Sequence, residues 1–551
     1  MGRKRGWSAV ARGCAAAVLA VACAGPAMGA QHRHVAAARH HKVTLAATIQ
    51  TLLAEPKIEG AHWGISVTGL DGSPVYALND GKLFQPASNV KLFTTAAALE
   101  IFGEKKTWKT TASIDGCSIN PTTVSGDITI LGEGDVFLSD RIVPYAANVN
   151  PALPTLGKLD QFIAQISQKL TKSGITTVEG DVVSMDRYPW QPYGQGWNTD
   201  DLVWGYGAPV TGTVISDNQL QLSVKAGSAV GKPAMLSIAP NFSYYTLKNE
   251  MLTTPAGTST RIDIERDGRV LRVYGGIGLD AKSDTEEIAI DDPALYTALA
   301  LRASLKQQGI TVTGSVRADR HYSSDARSVR EIENEPLDLV RIKNLGPGWS
   351  SSGPEGGVYP APACTPFHAR AEHVSPSLID DVRITNKVSQ NLHAEILLRK
   401  LAAWEGASPY ATFAQGARVV RQFAINAGVR ADDFYFVDGS GLSTYDVATP
   451  RAFTTLLRYA AAQPWGADWR SSLPVGGVDG TLEHRFTKSP VTGKVFAKTG
   501  TLSEDRALSG YLVCASGKTV VFSILVGNHL PGSHEDRDVM DKIVEAIAAA
   551  N

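Results

Sequence analysis

The 551-residue chain has few cysteines, and none of them cluster. Five are present, Cys14, Cys23, Cys117, Cys364 and Cys514, with no C-x-x-C pair among them. That sparse spacing suggests neither a zinc site nor a disulfide framework. Long basic blocks are also missing. Lys and Arg total 53 against 54 Asp and Glu, a formal net charge of -1. A protein that binds nucleic acid by neutralising phosphates needs a concentrated basic surface, so nucleic acid is not an expected partner. No segment supplies the ~20 consecutive apolar residues that a membrane-crossing helix requires. The closing stretch, DVMDKIVEAIAAA, sets Val539, Met540, Ile543, Val544 and Ile547 on one helical face. Its polar positions are mostly acidic rather than basic, so it is expected to pack on a sheet, not on a membrane surface. Hydrophobic residues make up 43% and charged residues 19%, an ordinary globular balance, and the length implies two to four domains.

What is present begins with a leader. MGRKRGWSAVARG carries Arg3, Lys4, Arg5 and Arg12, a short apolar run follows, and small residues close it near Ala30. This order is that of a secretory signal, so residues 1–30 are expected to be removed and the mature protein to act in the periplasm or outside the cell. Cleavage leaves Cys117, Cys364 and Cys514, enough for one disulfide whose partners the sequence does not specify. Residues 31–43, with four histidines, are expected to form a basic linker rather than a metal tract. No metal or cofactor is expected.

The texture then changes along the chain. Residues 44–106 combine a short helix, a hairpin around Asp71-Gly72 and an apolar helix starting near Ser88. Residues 107–345 are mostly short strand-like runs, interrupted by two helical patterns that each end at a Gly. A Gly/Pro-rich loop is expected over 346–372. Helix-and-strand texture returns over 373–551. The simplest architecture is one α/β domain, 44–106 plus 373–551, split by a long insertion of mainly β structure.

Three short motifs carry the chemistry. Ser88 and Lys91 form the chain's S-x-x-K, Ser389-Gln390-Asn391 an S-x-N, and Lys498-Thr499-Gly500 a K-T-G followed by Thr501. Each alone is weak. Ser88 reads equally as a helix cap, and a second S-x-N occurs at Ser118-Ile119-Asn120. Together and in this order they match the set found in penicillin-binding proteins and class A β-lactamases. A serine hydroxyl needs a base. Residues i and i+3 share a helix face, so Lys91 reaches Ser88. Burial, with a second cation such as Lys498 nearby, lowers a lysine's pKa towards the neutral form a base must have. Ser389 is suited to relay a proton, and Asn391 to orient Lys91 and hold a substrate amide. On an edge strand, Gly500 leaves room for a substrate backbone, while Lys498 and Thr499 offer donors to a carboxylate. Asp438 and Ser440 are read as turn-shaping, and His393 as a helix-face residue.

With DGSGLSTYDVATP at 438–450, GEGD at 132–135 and GWNTDDLVWGYGAP at 196–209, these motifs resemble the S13 family of low-molecular-mass penicillin-binding proteins, the class C D-alanyl-D-alanine carboxypeptidase/endopeptidases. The resemblance runs from about residue 48 to 550. It implies a serine β-lactamase/penicillin-binding (transpeptidase-like) domain split by two mainly β domains. It implies acylation of Ser88, proton handling by Lys91, Ser389 and Asn391, and carboxylate binding by Lys498. The backbone N–H groups of Ser88 and Thr501 would form the oxyanion hole. The implied substrates are peptidoglycan stem peptides, with β-lactam antibiotics as covalent inhibitors. Asp201 is similar to the family's acidic residue in the pocket for the stem's diamino acid. Thr444 departs from the pattern, since several members carry Arg there. Two other readings use the same residues: a serine β-lactamase, for which no deacylation base is evident, and a wall-binding protein without turnover.

Overall fold

The computed structural model describes residues 44–139, 141–147, 154–339, 365–404 and 412–551. The leader, the histidine-containing linker and most of the Gly/Pro-rich stretch lie outside the described residues.

The two ends of the chain build one sheet. Its five antiparallel strands run in the order Val495–Thr501, Arg506–Val513, Thr519–Gly527, His62–Gly69 and Pro74–Leu78. The central strand, TVVFSILVG, is buried over almost its whole length, which explains why it reads as a continuous apolar run rather than an alternating one. One sheet face carries the helices Leu45–Leu53 and Glu535–Ala550. Val539, Met540, Ile543, Val544 and Ile547 are all buried against it. Of the acids on the terminal helix, Asp538 is exposed, whereas Asp536 is buried against the sheet in a pair with Arg506.

The other face carries a larger helical core around the helix Val90–Phe102. Eleven of its thirteen residues are buried, so it lacks a polar face and is stable only inside the protein. It stops at Gly103, which adopts φ 74°. Helices Leu378–Lys387, Asn391–Trp404, Phe413–Asn426 and Pro450–Ala461 pack around it. The segment from 377 to 404, helical throughout in its sequence pattern, is broken at Val388–Gln390. Ser389 turns there with φ 62°.

The insertion forms two further bodies of structure. The first is an eight-stranded mixed sheet centred on Lys109–Asn120 and covered by the helices Gly157–Lys172 and Pro293–Gln307. The second is a pair of three-stranded sheets enclosing a small core of Leu222, Met251, Leu271, Val273 and Ile288. One expected boundary is corrected. Residues 365–372, read as part of the Gly/Pro-rich loop, belong to the strand Thr365–Val374, which pairs along its full length with Lys109–Asn120. PFHARAEHV alternates buried and exposed side chains, the period of a half-buried strand, and the neighbouring prolines masked it. Cys117 on the partner strand is disulfide-bonded, and Cys514 is free and buried. No helix among the described residues is long and apolar enough to cross a membrane.

Trp469 ties these layers together. Fully buried, it stacks edge-on to Trp465 and Tyr511 and donates its Nε1–H to Thr95 Oγ1 at 2.9 Å. Thr95 in turn donates to the Lys91 carbonyl at 2.6 Å. Trp469→Ala should destabilise this domain by about 3–5 kcal/mol, the usual cost of emptying a core aromatic site, measured by denaturant unfolding.

Candidate active site

The three motifs arrive at one place from three elements. Ser88 lies on the 3-10 turn Ala87–Asn89 that leads into the core helix. Ala87 holds φ 47°, and Asn89 anchors the turn by donating to Ser509 Oγ at 2.7 Å. Lys91 follows on the first helical turn. Ser389 and Asn391 sit at the corner between two helices, and Lys498 to Thr501 form the end of the sheet's edge strand. Seven of the nine residues expected from the sequence, Ser88, Ser389, Asn391, Thr499, Gly500, Thr501 and Asp201, line one cleft of about 610 Å³. The other two, Lys91 and Lys498, are fully buried beneath it. The second S-x-N, at Ser118, lies on a strand of the inserted sheet and takes no part.

The ammonium nitrogen of Lys91 lies 2.9 Å from Ser88 Oγ, 2.6 Å from Asn391 Oδ1 and 2.7 Å from the Ser440 carbonyl. Burial lowers its pKa to about 7, against the pull of Asp438, Glu395 and Asp446. A neutral lysine amine has two N–H bonds and one lone pair. Asn391 and Ser440 offer only acceptors and take both N–H bonds. The lone pair is then left for the Ser88 hydroxyl, which is the geometry a general base needs.

Lys498 reaches the same centre from the opposite wall. It donates to Ser389 Oγ and to the Thr499 carbonyl, each at 2.8 Å. Burial and the nearby Lys91 hold its pKa well below the ordinary lysine value. No carboxylate pairs with it among the described residues, so a bound carboxylate would supply the missing counter-charge. The repulsion between the two lysines was expected to act on Lys91. Burial lowers the pKa of both amines, and Lys91, unlike Lys498, has Asp438, Glu395 and Asp446 nearby to oppose it.

Those acids were not part of the expected site. Glu395 accepts the N–H groups of Gly439 and Ser440. Asp438 accepts those of Ser440, Gly441 and Ser443 together with the Trp197 indole, and Asp446 accepts that of Val437. Burial raises Glu395 to about 7 and Asp446 well above the usual carboxylate range. Asp438 and Asp446 were legible as a DGSGLSTYD turn. Glu395 carried no signal, being one acid in an ordinary helical run.

His393, near the S-x-N motif, is fully buried. It lies between Asp381, 2.7 Å from Nδ1, and Asp217 of the insertion, 3.4 Å from Nε2. Burial favours its neutral form, but the two carboxylates outweigh this and raise its pKa. Asp217 also takes a bond from Gln390 and pairs with Arg141. It sits in a run of three non-glycine residues with positive φ, Ser216, Asp217 and Asn218.

At the outer end of the cleft, Asp201 accepts the Tyr206 hydroxyl at 3.0 Å, and partial burial raises its pKa. Asn391 Nδ2 donates to the Tyr206 carbonyl at 2.8 Å, linking this wall to the centre. Thr444 donates to the Gly196 carbonyl at 3.1 Å and brings no charge. Arg485, Arg506 and Arg537 also line the cleft and were missed by sequence reasoning. The first two are paired with Asp541 and Asp536.

A serine hydroxyl bonded to a buried lysine amine, facing a second serine–lysine pair from the opposite wall, thus lies at the cleft of a penicillin-binding-type α/β domain. The chain belongs to the D-Ala-D-Ala carboxypeptidase 3 (S13) family, which matches residues 45–344 and 355–550. It is 27% identical over 496 residues to the D-alanyl-D-alanine carboxypeptidase of Actinomadura sp. (strain R39), covering 87% of this chain and 80% of that one. It is 23% identical over 494 residues to D-alanyl-D-alanine carboxypeptidase DacB of Haemophilus influenzae, covering 88% and 90%. The crystal structure of penicillin binding protein 4 (dacB) from Haemophilus influenzae superposes with a TM-score of 0.68 at 21% identity, covering 90% of this chain and 97% of that one.

Two outcomes follow from this geometry. NMR of lysine-labelled protein should find, beside the lowered titrations of buried Lys400 and Lys498, a side chain titrating near pH 7, charged below and neutral above, whose signal is absent in Lys91→Met. A Cβ on Gly441, which has φ 79°, would meet the Ala87 carbonyl at 1.9 Å. Gly441→Ala should therefore displace the Ser88 turn and lower turnover at least about tenfold, a misplacement effect, with the fold retained by circular dichroism.

Proposed function

We propose that the protein is a serine-type DD-peptidase that hydrolyses the terminal D-Ala-D-Ala bond of peptidoglycan stem peptides, and peptide cross-links, through an acyl-enzyme on Ser88. The observation that carries this reading is the contact of Ser88 Oγ with a buried, near-neutral Lys91 at 2.9 Å. The substrate's terminal carboxylate lies against Lys498 and Thr499, which places the scissile carbonyl over Ser88. Lys91 takes the Ser88 proton as Oγ attacks, and the backbone N–H groups of Ser88 and Thr501 receive the oxyanion. The proton passes through Ser389 to the leaving amine, and the C–N bond breaks to release D-alanine. Water, deprotonated by the same lysine, then attacks the ester and frees the shortened stem. Asn391 holds the acyl-side amide. Asp201 and Tyr206 face the stem's side chain, with Thr444 in place of a cation. The family membership and the carboxypeptidase names of the relatives support the substrate class. That the Haemophilus influenzae protein has been crystallised with a β-lactam supports a penicillin adduct on Ser88. The leader supports export.

Intact mass after mixing with benzylpenicillin should rise by one drug mass and persist, with no adduct in Ser88→Ala. Rapid loss of the adduct with drug consumption would indicate a β-lactamase. No adduct and no drug loss would overturn the enzymatic reading. The acylation rate should fall about tenfold per pH unit below pH 7, where Lys91 becomes protonated, and level off above.

A further inference from the structure

A second, larger cleft opens at the far end of the helices that carry the site. It has a volume of about 920 Å³, within the range of ligand-binding clefts, and is lined where the ends of Val90–Phe102 and Asn391–Trp404 meet the inserted sheet. Asn391–Trp404 is 14 residues long, so the cleft lies roughly 20 Å from Asn391. Phe102 stands edge-on to both Trp108 and Trp404, giving an aromatic wall. Lys400 is 4% exposed, and its ammonium rests 3.6 Å from the centroid of the Trp108 ring. Its nearest carboxylate oxygen, on Asp381, is 3.9 Å away, and it donates no hydrogen bond among the described residues. That oxygen, Oδ2, forms a long ion pair with Lys400, while Asp381 Oδ1 is bonded to His393. Trp404 Nε1–H is buried without an acceptor among the described residues. Lys106 adds a second cation 5.9 Å from the Trp108 ring. Across the whole lining, Lys and Arg outnumber Asp and Glu five to two, with Arg187 paired to Glu133, and Lys109 and Arg370 both paired to Glu372.

Unmatched donors beside flat apolar rings call for a ligand that brings acceptors, negative charge and ring faces together. We propose that this cleft binds a carboxylate-bearing segment of the peptidoglycan glycan strand. The indoles stack on sugar rings, and Lys400, Lys106 and Trp404 Nε1–H donate to sugar carboxylate and acyl oxygens. A lactyl carboxylate is free only where a stem has been removed, so the cleft would grip a stripped stretch and keep stems on neighbouring sugars of the same strand near the distant site, raising their effective concentration there. The identity of the glycan rests on the peptidoglycan reading above, and the chemistry of the cleft does not.

The test uses the full mature chain carrying Ser88→Ala, titrated calorimetrically with amidase-stripped glycan strands, whose lactyl carboxylates are free, and separately with polygalacturonate. Stripped glycan should bind, and both Trp404→Ala and Lys106→Glu should weaken it at least tenfold. In the Ser88 background the same two changes should leave penicillin acylation within twofold. No binding at millimolar sugar, or binding unchanged in both variants, would overturn the proposal. Binding of polygalacturonate alone would overturn its assignment to peptidoglycan. Absence of a penicillin adduct would count against the DD-peptidase reading while leaving the binding result intact.

Discussion

The contact on which the rest of the structure depends is that between the Lys91 amine and the Ser88 hydroxyl. A lysine at its ordinary pKa is no base near neutrality, so the contact is chemically useful only if the amine is kept largely uncharged. Burial does this, and burial in turn demands a helix without a polar face, a sheet packed on one side and helices on the others. The fold around Val90–Phe102 is therefore also the means by which Lys91 is tuned.

Desolvation alone would push the amine further than a base requires. The carboxyls of Asp438, Glu395 and Asp446 favour its charged form and bring its pKa back up to about 7. Two of these acids are themselves driven towards protonation by burial, so they restrain Lys91 without fixing a full negative charge beneath it. Their oxygens also hold the backbone of the 437–443 turn, whose Ser440 carbonyl receives one of the two Lys91 N–H bonds. One cluster thus sets both the charge and the orientation of the amine.

The insertion is joined to this centre rather than merely attached beside it. The Ser389 turn adopts a backbone conformation unfavourable for a non-glycine residue, which persists only where surroundings over-determine it. Gln390 and His393, just beyond it, are both bonded to Asp217 of the insertion, and Asn391 is bonded to the Tyr206 carbonyl of the same segment. The inserted body therefore closes one wall of the cleft and braces the turn that carries the S-x-N motif.

Sequence alone determined the motifs, the split plan and the terminal helix. These rest on local spacing: the offset of three from Ser88 to Lys91, the glycine after Lys498-Thr499, and one apolar face on 539–547. It also held the turn at 438–446 in plain view. It could not show the strand at 365–374, whose pairing partner lies some 250 positions earlier, nor the break at Ser389, which no Gly or Pro announces. It could not single out Glu395, Asp217, Arg485, Lys400 or Trp404, because nothing in their neighbours distinguishes them from surface or core residues. The acids that oppose the desolvation of Lys91 come from separate elements. Such properties belong to tertiary structure because desolvation and charge depend on what surrounds an atom in space, and most of that surrounding comes from distant parts of the chain.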